Sequence, residues 1–117
     1  MNFLLIALAA TTLAFSPWHG KVLQASPGAI QYRLSVRGTP HTTVKLAAIG
    51  LARGWIASFC TDKVCSPMQY SMELPGSGTG AIEFQVIRND PSAPHRTHVV
   101  VRSDAGASAA LNVVVKN

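Results

Sequence analysis

Two cysteines, Cys60 and Cys65, have the widest chemical scope in this chain, and four residues separate them. No other cysteine occurs, so the two either pair with each other or stay free. Thiol–disulfide exchange enzymes set Cys-x-x-Cys at a helix start, where the dipole lowers the thiol pKa. Here four residues intervene, the surroundings read as strand and loop, and no helix follows, so spacing and context favour a structural role. Closing so short a loop would contribute only about 2 kcal/mol on the chain-entropy model.

Metal binding is the sharpest alternative. His41, His95, His98, Met68 and Met72 are soft or borderline donors, of the kind that hold copper in exported cupredoxin-like sandwiches. His95 and His98 lie three apart, so on one strand their rings would point to opposite faces. They converge only if His95 belongs to the loop before the strand. Met68 and Met72 share parity with Tyr70 and Leu74, which is a core pattern. Cys65-Ser66-Pro67-Met68 also lacks the histidine of a blue-copper site. A small periplasmic copper-binding protein using His41, His95, His98 and Met68 is therefore the alternative, and no cofactor is expected.

Hydrolytic chemistry has little support. Asp62, Asp90 and Asp104 all fall in turn-like segments, where Asp has an ordinary hydrogen-bonding role. Neither Gly-x-Ser-x-Gly nor His-Glu-x-x-His occurs. Gly76-Ser77-Gly78-Thr79-Gly80 precedes a strand without a following Lys-Ser/Thr, so it reads as a hairpin turn and not a phosphate loop. No enzyme is expected.

The elements that must position these residues are strands. Ile30 to Arg37, Thr42 to Ile49, Trp55 to Phe59, Met68 to Leu74, Ile82 to Val86, Thr97 to Arg102 and Ser108 to Val115 alternate or are rich in valine, giving seven predicted strands. Gly, Pro and Asx clusters separate them. Trp55, Phe59, Tyr70 and Phe84 are the expected large core residues. Short strands with such turns predict an all-β two-sheet sandwich.

Ahead of these strands, Met1 to Phe15 is uncharged and apolar. It is shorter than the roughly 20 residues of a membrane span and suits a signal-peptide core. Residues 1–15 are thus expected as a leader, with a buried N-terminal helix or strand, or an uncleaved anchor, as the alternatives. Residues 16–27 are expected as a flexible segment and 28–117 as the domain. A cysteine pair behind such a leader points to an exported protein, periplasmic or extracellular. Membrane contact would then come only through an uncleaved leader.

The chain of 117 residues carries ten Lys and Arg against five Asp and Glu, a net charge of +5. These cations are scattered singly without interleaved aromatics, which argues against nucleic acid as a partner. Arg33 and Arg37 share a strand face, as do Arg96 and Arg102. Were those strands neighbours, the four would form a basic stripe for an anionic glycan or lipid surface.

The segment from Gly50 through Pro67 reads Gly-Leu-x-x-Gly-Trp-x-x-x-x-Cys-x-x-x-x-Cys-x-Pro, and Leu74-Pro75, a Gly-rich turn and Ile82-Glu83-Phe84-Gln85-Val86 follow. This succession resembles immunoglobulin-like or fibronectin type III-like modules of bacterial secreted and envelope proteins. The resemblance implies a seven-stranded antiparallel sandwich and a local Cys60–Cys65 disulfide. It implies no catalytic residue. The expected role is a structural, adhesion or accessory module of the cell envelope whose partner is a protein or another envelope component.

Overall fold

The computed structural model describes residues 10–19 and 28–116. Most of the apolar leader, residues 20–27 of the expected linker and Asn117 lie outside the described residues. Within them the chain is all-β. The strands are β1 (Thr12–Pro17), β2 (Ala29–Arg37), β3 (Thr43–Ile49), β4 (Trp55–Cys60), β5 (Cys65–Pro67), β6 (Gln69–Glu73), β7 (Thr79–Arg88), β8 (Arg96–Ser103) and β9 (Ser108–Val114).

Two antiparallel sheets result, a five-stranded one ordered β1-β2-β7-β4-β5 and a four-stranded one ordered β6-β3-β8-β9. All seven predicted strands are present, but the described residues hold nine. The two additions have separate causes.

The first is β1. Leu13 and Phe15 alternate with Thr12, Ala14 and Ser16, and the segment pairs with β2 from Thr12↔Arg37 to Pro17↔Tyr32. The sandwich therefore includes residues ahead of the expected boundary at 28, and Ser16 and Pro17 belong to a strand rather than a linker.

The second is β5. Cys65–Pro67 precede the strand expected from Met68, which runs as β6 from Gln69, and Met68, whose φ is +66°, separates the two. The Met68 N–H donates to Ala57 of β4 at 2.9 Å, and its carbonyl accepts from Ala48 of β3 at 2.8 Å. One residue thus carries the chain from β5 in the five-stranded sheet to β6 in the four-stranded sheet. Left-handed backbone costs a non-glycine residue about 1 kcal/mol or more. Hydrogen bonds to both sheets offset that cost.

The inner faces close on Leu34, Val36, Val44, Leu46, Trp55, Ala57, Phe59, Ile82, Phe84, Val86, Val99 and Val101, all buried. A run of rings crosses this core. Tyr32 meets Phe15 at 6.3 Å, Phe15 meets Phe84 at 5.3 Å, Phe84 meets Phe59 at 5.0 Å, and Phe59 stacks on Tyr70 at 6.2 Å. Such pairs add about 0.5–1.5 kcal/mol each beyond their buried area. Trp55 is buried as expected and its indole N–H donates to the Pro94 carbonyl at 2.8 Å, whereas Tyr70 is only partly buried at the edge.

Candidate functional site

Cys60 ends β4 and Cys65 begins β5, and the two stand directly opposite in the ladder. Their disulfide is formed, across a Cα separation of 4.0 Å. The local sequence makes this hairpin. Thr61 N–H donates to the Val64 carbonyl, while Thr61 Oγ1 accepts from the N–H groups of Lys63 and Val64. That turns the chain at Asp62-Lys63 and returns Cys65 to Cys60. By strand parity the disulfide lies on the outer face of the five-stranded sheet, since Trp55, Ala57 and Phe59 fill the inner one.

Beside it lies a feature that sequence parity misplaces. Glu83 and Gln85 alternate with Ile82, Phe84 and Val86, so they point away from the inter-sheet core. Yet they are 1 % and 0 % exposed. Gln85 Nε2 donates to Glu83 Oε2 at 2.7 Å. Their register partners are Gln31 and Arg33 on β2 and Ser58 and Cys60 on β4. Alternation reports which face a residue occupies, not whether that face meets water, and no sequence signal marks this polar layer as buried.

The histidines and methionine of the metal alternative do not assemble. His41 sits in the β2–β3 turn at φ +60°, where its N–H donates to the Leu74 carbonyl. A Cβ at Gly76 would come within 3.3 Å of its Nε2. His95 does lie in the loop before β8, as convergence requires. His98 faces outward on β8, however, with Nδ1 2.7 Å from Asn112 Oδ1. The β3–β8 register puts His41 at one end of that strand pair and His95 and His98 at the other. Met68 packs on the core at the sheet crossover, away from both. Among the described residues no three His, Cys, Asp or Glu side chains gather.

The arginines are divided. Arg33 and Arg37 lie on the outer face of the five-stranded sheet, Arg96 and Arg102 on that of the four-stranded sheet. Parity within each strand is as expected, but β2 and β8 are not neighbours, so the condition for a single stripe is not met. Arg102 instead lines a concavity with Lys45, Gln69 and Ser71. The backbone there is pinned, because Lys45 N–H donates to Asp104 Oδ1 at 3.1 Å and Asp104 N–H to the Lys45 carbonyl at 3.0 Å.

Arg88 works inside the fold. Its Nε donates to the Ala93 carbonyl at 3.0 Å, and Nη2 reaches the carbonyls of Pro91 and Ala93. Asp90 Oδ1 accepts from Ser92 N–H at 2.9 Å and from Ser92 Oγ at 2.8 Å. These Ser92 hydrogen bonds, with help from the Arg88 charge, hold the Asp90 carboxyl below its ordinary range. The 89–94 loop is held on the Gly54-Trp55 end of β4 by the N–H groups of Asn89 and Asp90, which donate to the Gly54 carbonyl, and by the Trp55–Pro94 hydrogen bond.

No protein-family model matches the chain, and no curated protein is similar to it. Solved structures share its fold. The crystal structure of a FixG-related protein from Vibrio parahaemolyticus aligns with a TM-score of 0.56 at 7% identity, covering 92% of this chain and 98% of that one. A conjugative transposon lipoprotein from Bacteroides eggerthii aligns with a TM-score of 0.50 at 14% identity, again covering 92% and 98%. At these identities the likeness is one of fold: an all-β arrangement shared across nearly the whole of each chain.

Proposed function

We propose that this protein is an exported, immunoglobulin-like accessory module of the bacterial cell envelope, acting through its surface rather than by catalysis. The observation that carries the reading is the Cys60–Cys65 disulfide across a hairpin at the sheet edge. Such bonds persist in oxidising compartments and are rare in the cytosol. The whole-length likeness to a chain described as a lipoprotein supports the same compartment. A protein or envelope component suits the surface better than an extended anionic polymer, because the arginines are split between opposite outer faces.

The test is intact mass of the protein recovered from its host's exported fraction, before and after reduction and alkylation. Two cysteines that alkylate only after reduction support the reading. Recovery in the cytosol with both thiols free would sink it.

A further inference from the structure

Four strand edges bound the two sheets, and three are blunted. β5 has three residues and ends in Pro67. β6 has five, lies between the Met68 crossover and Pro75, and carries Glu73. β1 ends in Pro17. Short length, proline, charge and backbone irregularity are the devices that keep edges from pairing with other chains.

The fourth edge, β9, has none of them within the strand, with Lys116 just past its end and β1 of the other sheet close by. It runs for seven residues, and from Ser108 through Val115 the chain holds no charge, proline or glycine. Its ladder to β8 fixes which backbone groups face outward. Val115 N–H donates to the His95 carbonyl at 2.7 Å, and the Ala107 carbonyl accepts from Ser103 N–H at 2.8 Å. In an antiparallel ladder the bonded residues alternate. Odd-numbered residues from Ala107 to Val115 therefore bond to β8. Ser108, Ala110, Asn112 and Val114 turn their N–H and C=O groups away from the sheet. All four are exposed, and among the described residues no hydrogen bond reaches those backbone groups.

We infer that β9 pairs with β9 of a second copy of this chain, antiparallel about a two-fold axis at Leu111, joining the two four-stranded sheets. The register follows from the alternation. Ser108 meets the second copy's Val114 and Ala110 meets its Asn112, so each outward N–H and C=O finds its counterpart. Leu111 meets its own symmetry mate as a close non-hydrogen-bonded pair, and its side chain packs on the core side.

Charge permits this despite the net +5. The exposed cations nearest the joint are Lys116, two residues past Val114, and on β8 Arg102, beside Ser108, and Arg96, beside Val114. Across the joint Lys116 would stand two strand spacings and two residues from the second copy's Arg102, about 12 Å, and Arg102 three spacings from its Arg96, about 14 Å. Both exceed the roughly 8 Å Debye length at physiological ionic strength. The inference adds a partner to the surface role above, and its test leaves the question of compartment untouched.

The test is sedimentation equilibrium of the full disulfide-bonded chain from tens to hundreds of micromolar. The wild type is expected to reach a dimer and go no further, because each copy has one such edge. Ala110→Pro removes only an outward N–H. It should keep the wild-type circular dichroism and weaken dimerisation by about tenfold or more. Leu111→Cys provides a second readout. Cα atoms of a non-hydrogen-bonded pair lie about 4.5 Å apart, within disulfide reach, so mild oxidation should give a covalent dimer. A wild type that stays monomeric, one that grows beyond the dimer, or a folded Ala110→Pro variant that dimerises as the wild type does would overturn the inference.

Discussion

Phe15 and Phe84 meet with ring centroids 5.3 Å apart. A residue of the apolar N-terminal run is thus part of the same aromatic core as the centre of β7. A segment read for its hydrophobicity as a leader also has the alternation of a strand, and the fold uses the alternation.

The contact predicts a stability effect. Phe15→Ala should destabilise the full chain by about 2–3 kcal/mol, somewhat below the value for a fully buried phenylalanine because Phe15 is partly exposed. Urea denaturation followed by the fluorescence of the two tryptophans, Trp18 and Trp55, would measure it. An effect below about 0.5 kcal/mol would mean that β1 contributes little to the folded state.

Tyr32, which packs on Phe15, offers an independent reporter. Burial raises its phenol above the ordinary value of 10.0. A raised folded value stabilises the protein below pH 10, and that contribution is lost as pH rises through the folded pKa. Alkaline titration at 295 nm should show a late-titrating tyrosine in the full chain. Phe15→Ala should return it toward the ordinary value, and an unchanged titration would separate Tyr32 from β1.

At Met68 the expected order of substitutions inverts ordinary core logic. Valine keeps apolar bulk but resists φ near +66°, whereas glycine accepts that backbone and leaves a gap. Met68→Gly should be less destabilising than Met68→Val by about 1–2 kcal/mol. Thermal unfolding of the two variants decides it.

The 89–94 loop should depend on the side chain that Gly54 lacks. A Cβ there would fall 2.6 Å from the Ala93 Cβ, at φ +85°. Gly54→Ala is expected to cost about 2–3 kcal/mol and to loosen the Trp55–Pro94 hydrogen bond. Amide exchange at Ala93, which donates to the Asp90 carbonyl, should accelerate first.

Asp90 gives the loop a pH dependence. Its carboxyl is depressed by hydrogen bonds from Ser92, so its contribution is complete above the unfolded value near 3.9 and is lost as pH falls through the lower folded value. Asp90→Asn should flatten that acid limb without altering the neutral region. Parallel limbs in the two proteins would assign the acid sensitivity elsewhere.

Much of this architecture is legible in the sequence for one reason: half-buried strands alternate, and β2, β3 and β7 do so plainly. The parity of Arg33 with Arg37 and of Arg96 with Arg102 is equally local and is present in the structure. What escapes is non-local. Whether β2 and β8 share a sheet depends on strand order, which no single strand encodes. Glu83 and Gln85 look solvated because burial on the outer face depends on what covers it. Met68 hides a change of sheet because an ordinary residue, not glycine or proline, makes the bend.

That bend has a mechanical consequence. Because Met68 is bonded at once to Ala57 and Ala48, the two leaves of the sandwich are bound along one margin like pages at a spine. The opposite margin, where β1 and β9 border the separate sheets, has no such stitch among the described residues. The spacing of the two leaves is thus fixed by hydrogen bonds at one margin and by the packing of β1 against β9 at the other.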